Sequence, residues 1–127
     1  MNEPNILREE KRDHFNHIDG SLLLGNAGGD PELVRELLGI FVRTFAADIE
    51  RLNTAVQDEN VVQIRHLLHR TKGSLQILGA NATVDMVEAI SGSLGSEIGV
   101  EQFRALHTLF QRFDAILQEA ITRAEMP

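Results

Sequence analysis

The residues in this chain best suited to chemistry lie in one run, His69-Arg70-Thr71-Lys72-Gly73-Ser74. On a helix, positions three and four apart share a face, so Lys72 and Gly73 would flank the His69 imidazole. An imidazole is largely neutral at pH 7 and keeps a ring-nitrogen lone pair that can attack phosphorus without an activating base. A lysine one turn away can hydrogen-bond or neutralise a phosphoryl group carrying up to about two negative charges. Glycine inside a helix costs about 1 kcal/mol relative to alanine. Its presence at Gly73 makes sense if a missing side chain lets a partner approach the imidazole. The plainer reading, a surface histidine beside a surface lysine, leaves that glycine unexplained.

For these residues to share a face, the segment from Val61 to about Leu78 must be helical. At about 100° per residue, Ile64, Leu67, Leu68, Thr71, Leu75 and Leu78 fall in one arc and face a core. Arg65, His69, Lys72, Gly73 and Gln76 fall on an adjoining face, with His69 near its middle and directed to solvent. Gly79 ends the segment in the manner of a C-cap.

The neighbouring segments are also helical. Asp30-Pro31-Glu32 reads as an N-cap, a proline at the first helical position and an acid in the first turn. The helix it opens runs to about Gln57, with Leu33, Leu37, Ile40, Phe41, Thr44, Leu52 and Ala55 as its apolar stripe. Leu38, Phe45 and Ile49 widen that stripe, which favours extra burial over an exposed docking surface. After the break at Asp58-Glu59-Asn60 and the helix bearing His69, Asn81 offers a fresh N-cap. A helix from Ala82 to about Leu94 then carries Val84, Val87, Ile90 and Leu94, and Gly92, Gly95, Ser96 and Gly99 loosen its end. The last helix, about Val100 to Glu125, aligns Phe103, Leu106, Leu109 or Phe110, Phe113, Leu117 and Ile121. Ahead of all these lie an amphipathic stretch, roughly Ile6 to Ile18, a short apolar piece from Leu22 to Leu24, and the turn Gly25 to Gly29. The predicted fold is all-α: an antiparallel up-and-down four-helix bundle over 30–125, preceded by a lead-in over 1–29 with an additional short N-terminal helix.

The composition excludes several functions. The 127 residues suit one domain. With 19 acidic against 12 basic residues and a formal charge of -7, the chain would repel nucleic acid. The absence of cysteine removes disulfides, thiol chemistry and Cys-type zinc sites. No apolar run has the length of a signal peptide or membrane span, so direct membrane contact is not expected and the chain is read as cytoplasmic. No Gly-x-x-x-x-Gly-Lys-Ser/Thr loop is present, so no ATP site is expected.

The run from His69 to Ser74, followed by Gly79-Ala80, resembles the signature of the histidine phosphotransfer (HPt) domain family, in which His-x-x-Lys-Gly precedes a second glycine. The resemblance extends from about Ile18 to the last helix, and Asp30 through Phe41 to Leu52 is similar to the family's first bundle helix. It implies that His69 takes a phosphoryl group on Nε2, that Lys72 supports the phosphoryl oxygens and that Gly73 leaves room for a response-regulator receiver domain. The family's glutamine that hydrogen-bonds the other imidazole nitrogen is matched here by the shorter Ser91. The resemblance also implies a carrier with no cofactor of its own, Mg²⁺ being supplied by the partner receiver. Arg70 stands where sensor-kinase dimerisation helices commonly have an acid. The protein would relay phosphoryl groups between receivers, for instance of a hybrid sensor kinase and a downstream regulator. It would do so either as a free monomer or as the cytoplasmic end of a membrane-bound hybrid kinase.

Two other readings compete with this one. His66 and His69, with His14, His17 and His107, could suggest a metal-binding bundle, but no Glu-x-x-His pair supplies carboxylates. A helical adaptor that binds receivers without taking phosphate would have little use for Lys72 and Gly73 beside an exposed histidine. Receiver docking is expected on the ridge of the first two bundle helices, around Arg65, Arg70, Lys72 and Gln76, with Leu38, Phe45 and Ile49 as candidate apolar contacts.

Overall fold

The computed structural model describes residues 17–125; most of the amphipathic stretch proposed for Ile6 to Ile18 lies outside them. Five helices follow: α1 (Gly20–Asn26), α2 (Pro31–Gln57), α3 (Val61–Ile77), α4 (Asn81–Ser93) and α5 (Val100–Glu125). The last four form the antiparallel bundle, with α2 against α3 and α5, and α4 closing the ring between α3 and α5. The short helix α1 lies across α2 and α3.

Local chemistry fixes the helix ends. Asp30 caps α2 by accepting from the Glu32 amide, with Pro31 in the first turn. Asn60 caps α3 through the Gln63 amide. At the other end of α3, the Ala80 amide donates to the Leu75 carbonyl at 3.0 Å and the Gly79 amide to Gln76 at 3.1 Å. This closure needs Gly79 in the left-handed region, at φ 69°. It also corrects the expected cap of α4. The position before the helix is Ala80, buried and without a side-chain cap bond, and Asn81 is already helical. The α3 closure draws Ala80 into the core, so α4 starts at once.

The core also differs from the expected stripe on α2. Leu38, Phe41, Phe45, Asp48, Leu52 and Ala55 are buried, whereas Leu33, Ile40 and Thr44 are exposed. The buried face is centred on Phe45, which stacks on Phe41 (ring centroids 4.5 Å apart) and meets the edge of Phe113 on α5 at 4.9 Å. Flanked by α3 and α5, α2 buries a wide arc that takes in the residues read as widening the stripe. On α5 the buried set is Leu106, Leu109, Phe113, Ile116 and Ala120, with Phe103 turned outward.

The segment before α2 packs on this core through Ile18, Leu23 and Ala27. Its start is tied to α5, where the Glu119 carboxylate accepts from the His17 and Ile18 amides at 2.7 and 2.9 Å. Asp19 caps α1, and its own amide donates to the Leu78 carbonyl at 3.1 Å.

Candidate functional site

Helix α3 divides as its sequence predicts. Ile64, Leu67, Leu68, Thr71 and Leu75 are buried, and the Thr71 hydroxyl is satisfied by donating to the Leu68 carbonyl at 2.9 Å. Arg65, His69, Gly73 and Gln76 are exposed, and Lys72 is half-buried at their edge.

His69 and Lys72 look across a cleft toward α4. Leu68, His69 and Lys72 form one wall and Val87, Glu88, Ser91 and Gly92 the other, enclosing about 200 Å³. Within it the Lys72 ammonium lies 3.6 Å from the Glu88 carboxylate. Ser91 therefore reaches the site, but among the described residues no hydrogen bond joins it to the imidazole. A Cβ built on Gly73 would meet nothing within 4 Å, so packing does not require the glycine.

The three cations of this stretch of α3 diverge. Arg65 turns to α4 and donates to the Leu94 carbonyl at 2.6 Å and to Gly95 at 3.2 Å, satisfying carbonyls just beyond the end of that helix. Arg70 turns the other way, its guanidinium 3.5 Å from Asp48 on α2. Both arginines remain exposed, but each also holds α3 to a neighbouring helix. Of the three, only Lys72 lines the cleft.

The apolar docking candidates need correction. Leu38 and Phe45 are fully buried, and Ile49 is half-buried against the core. Filling the interior takes precedence over display, so none of them forms an exposed contact surface. The exposed large apolar residues of these two helices are instead Leu33 and Ile40 on α2 and Val62 and Ile77 on α3, with Ile40 at 50% exposure and Ile77 at 47%. The Asp48–Arg70 contact fits the antiparallel register of α2 and α3, and two turns back along α2 and on along α3 this register brings Ile40 level with Ile77.

Two functional candidates escaped the sequence reading. Glu88 carried no signal, since its nearness to Lys72 depends on how α4 docks on α3. Asp48 did carry one: an acid at core spacing between Phe45 and Leu52, with Arg51 one turn on. A larger cleft of about 710 Å³ lies at the Gly79 end of α3, away from His69. Among the described residues, no group of three or more histidine or acidic side chains could hold a metal ion. No described helix is long and apolar enough to cross a membrane.

An exposed imidazole with an ammonium one turn on is an arrangement chemically able to accept and support a phosphoryl group. The model of the Hpt domain family matches residues 36–120, more than half of the chain. The chain therefore belongs to the Hpt domain family, the histidine phosphotransfer domains of two-component signalling, which interact with response-regulator receiver domains. No match was found among curated proteins or among solved structures.

Proposed function

We propose that this domain relays a phosphoryl group between the phospho-aspartates of response-regulator receiver domains by way of His69. The observation that carries this reading is the exposed His69 imidazole sharing a cleft with Lys72, beside a Gly73 for which packing has no use.

In the forward step a lone pair on His69 Nε2 attacks phosphorus and forms the P–N bond. The P–O bond to the receiver's aspartyl group breaks, and its electron pair leaves on the carboxylate. With the ring proton on Nδ1, the product is a phosphoimidazolium whose cationic ring is covalently joined to a dianionic phosphoryl group. Return transfer to a second receiver reverses each change. Lys72 supplies a charge-assisted hydrogen bond to the phosphoryl oxygens. Gly73 leaves the approach of the receiver open. The receiver brings the Mg²⁺, and the histidine domain contributes position and charge, which carry most of the catalysis in phosphoryl transfer. As a carrier, the domain takes its phosphate from its partners. Its place of work is the cytoplasm, as a monomer whose bundle closes its own core.

The test is incubation with a panel of phosphorylated receiver domains and Mg²⁺, following acid-labile, base-stable label on wild type and His69→Gln. Label on wild type alone supports the relay and names a partner. A receiver that binds tightly yet leaves His69 unlabelled would point to a non-phosphorylated adaptor.

A further inference from the structure

The Lys72 ammonium, which the proposed relay assigns to the phosphoryl group, already has a carboxylate partner in Glu88. We propose that Glu88 is a positioning residue that sets how firmly this domain holds its phosphoryl group, by competing with it for Lys72. The inference rests on the reading of His69 as the phosphoryl acceptor.

Several observations converge on it. Glu88 and Lys72 are 3.6 Å apart across the cleft, and His69 lies on the same wall as Lys72. The Glu88 side chain is 55% exposed and that of Lys72 is 29% exposed, so the lysine is the more confined partner. The other cleft residues, Leu68, Val87, Ser91 and Gly92, bring no second cation. The nearby guanidiniums are directed elsewhere: Arg65 to the Leu94 and Gly95 carbonyls, and Arg70 to Asp48. Before phosphorylation, the charges of Lys72 and Glu88 cancel. Adding a phosphoryl dianion to His69 sets two anionic groups against one ammonium. Either Lys72 leaves Glu88 for the phosphoryl oxygens, or the phosphoryl group goes without it. In either arrangement the phosphoryl group has less than a full share of the one ammonium in the cleft. Such a domain holds phosphate loosely and releases it readily to an acceptor. A neutral side chain at position 88 would leave Lys72 to the phosphoryl group alone.

The experiment uses phosphoramidate as a small-molecule donor, so that loading does not depend on any receiver, with the site mapped to His69 by mass spectrometry. The lifetime of the phosphohistidine is then followed by ³¹P NMR on wild type, Glu88→Gln, Glu88→Asp and the same changes made in a Lys72→Ala background. Glu88→Gln should lengthen the lifetime roughly 3- to 10-fold at low salt, the range expected when one partly screened ammonium a few ångströms away is released to the phosphoryl group. The gain should shrink as salt is raised, Glu88→Asp should return the lifetime toward wild type, and Lys72→Ala should remove most of the gain. A purely structural role would not produce this charge and salt dependence. An unchanged or shortened lifetime in Glu88→Gln, or a gain that persists in full without Lys72, overturns the inference. The relay reading fails by a different result, the absence of label from receivers that bind.

Discussion

Arg70, the residue after His69, sets its guanidinium 3.5 Å from Asp48, a carboxylate on α2 whose side chain is only 4% exposed. Arg51, one turn further along α2, donates to the same oxygen at 3.3 Å. The helix carrying the nucleophile is thus fastened to its neighbour by an acid within the core seam, while both guanidiniums stay half in water. This asymmetry predicts unequal mutational costs. Removing the acid, as in Asp48→Asn, leaves behind cations that water can solvate and should cost about 1 kcal/mol. The double change Arg51→Ala/Arg70→Ala leaves a buried carboxylate without a cation and should cost more, about 2 to 4 kcal/mol. Urea denaturation of the two variants checks the order; a double variant as stable as Asp48→Asn would show that the acid is well solvated.

Gly73 and Gly79, one within α3 and one just past its end, should respond in opposite ways to alanine. At Gly73 a Cβ meets open space, so Gly73→Ala should stabilise the fold by about 0.5 to 1 kcal/mol through helix propensity. The same methyl would stand in the path of a docking receiver and should slow transfer to His69. At Gly79, where φ is 69°, a Cβ would lie 2.8 Å from the Asp19 Cβ and 3.0 Å from that of Leu22. Gly79→Ala should therefore destabilise by about 2 kcal/mol or more, from backbone strain and overlap together. Thermal melts paired with transfer rates check both, and a Gly73→Ala variant with unchanged transfer would remove the access role.

Much of this was legible in the sequence because it depended on local rules. Asp30-Pro31 marked the start of α2, Gly79 marked the end of α3, and the period of Ile64 through Leu75 placed His69 outward. The centre of the α2 stripe was less legible, because period alone does not say how wide an arc two flanking helices will bury. Leu38 and Phe45 thus read as the margin of a stripe whose middle they occupy. The carboxylate partner of Lys72 across the cleft was illegible for a different reason. Glu88 belongs to another helix, and its position relative to Lys72 is set by tertiary packing of α4 on α3 rather than by any spacing along the chain.

The docking ridge carries a prediction that separates display from packing. Phe45 is enclosed by Phe41 and Phe113, so Phe45→Ala should cost about 3 to 5 kcal/mol of stability. A charged residue there should unfold the bundle rather than trim an interface. Ile40→Glu and Ile77→Glu replace half-exposed side chains, and each should leave the melting curve nearly unchanged. Each should nonetheless weaken receiver binding about tenfold, the scale of losing one apolar contact and desolvating a charge. Titration calorimetry against a receiver that labels His69 checks this. Wild-type affinity in both variants would move the docking surface off the Ile40–Ile77 end of the α2–α3 ridge.

Arg65 offers the last separation, between a residue that touches the partner and one that shapes the site. Its guanidinium donates to the Leu94 carbonyl at 2.6 Å and to Gly95 at 3.2 Å, just beyond the end of α4. A charge-assisted bond of this kind contributes about 1.5 to 3 kcal/mol where it is well enclosed, and less where one end is exposed. Arg65→Ala should therefore lower stability by about 1 to 2 kcal/mol. It should also speed amide exchange selectively over the last turn of α4 and the segment that follows. Because Ser91 and Gly92 belong to that last turn and line the cleft, transfer to His69 should slow as well. Both bonds come from the one Nη2, so Arg65→Lys keeps a charged donor but on a shorter, more flexible stem, and should recover only part of each effect. Hydrogen exchange resolved by residue, measured beside transfer rates, distinguishes this from direct docking. If Arg65→Ala slows transfer while exchange over residues 90–95 stays at the wild-type rate, the side chain acts on the receiver itself and not through the end of α4.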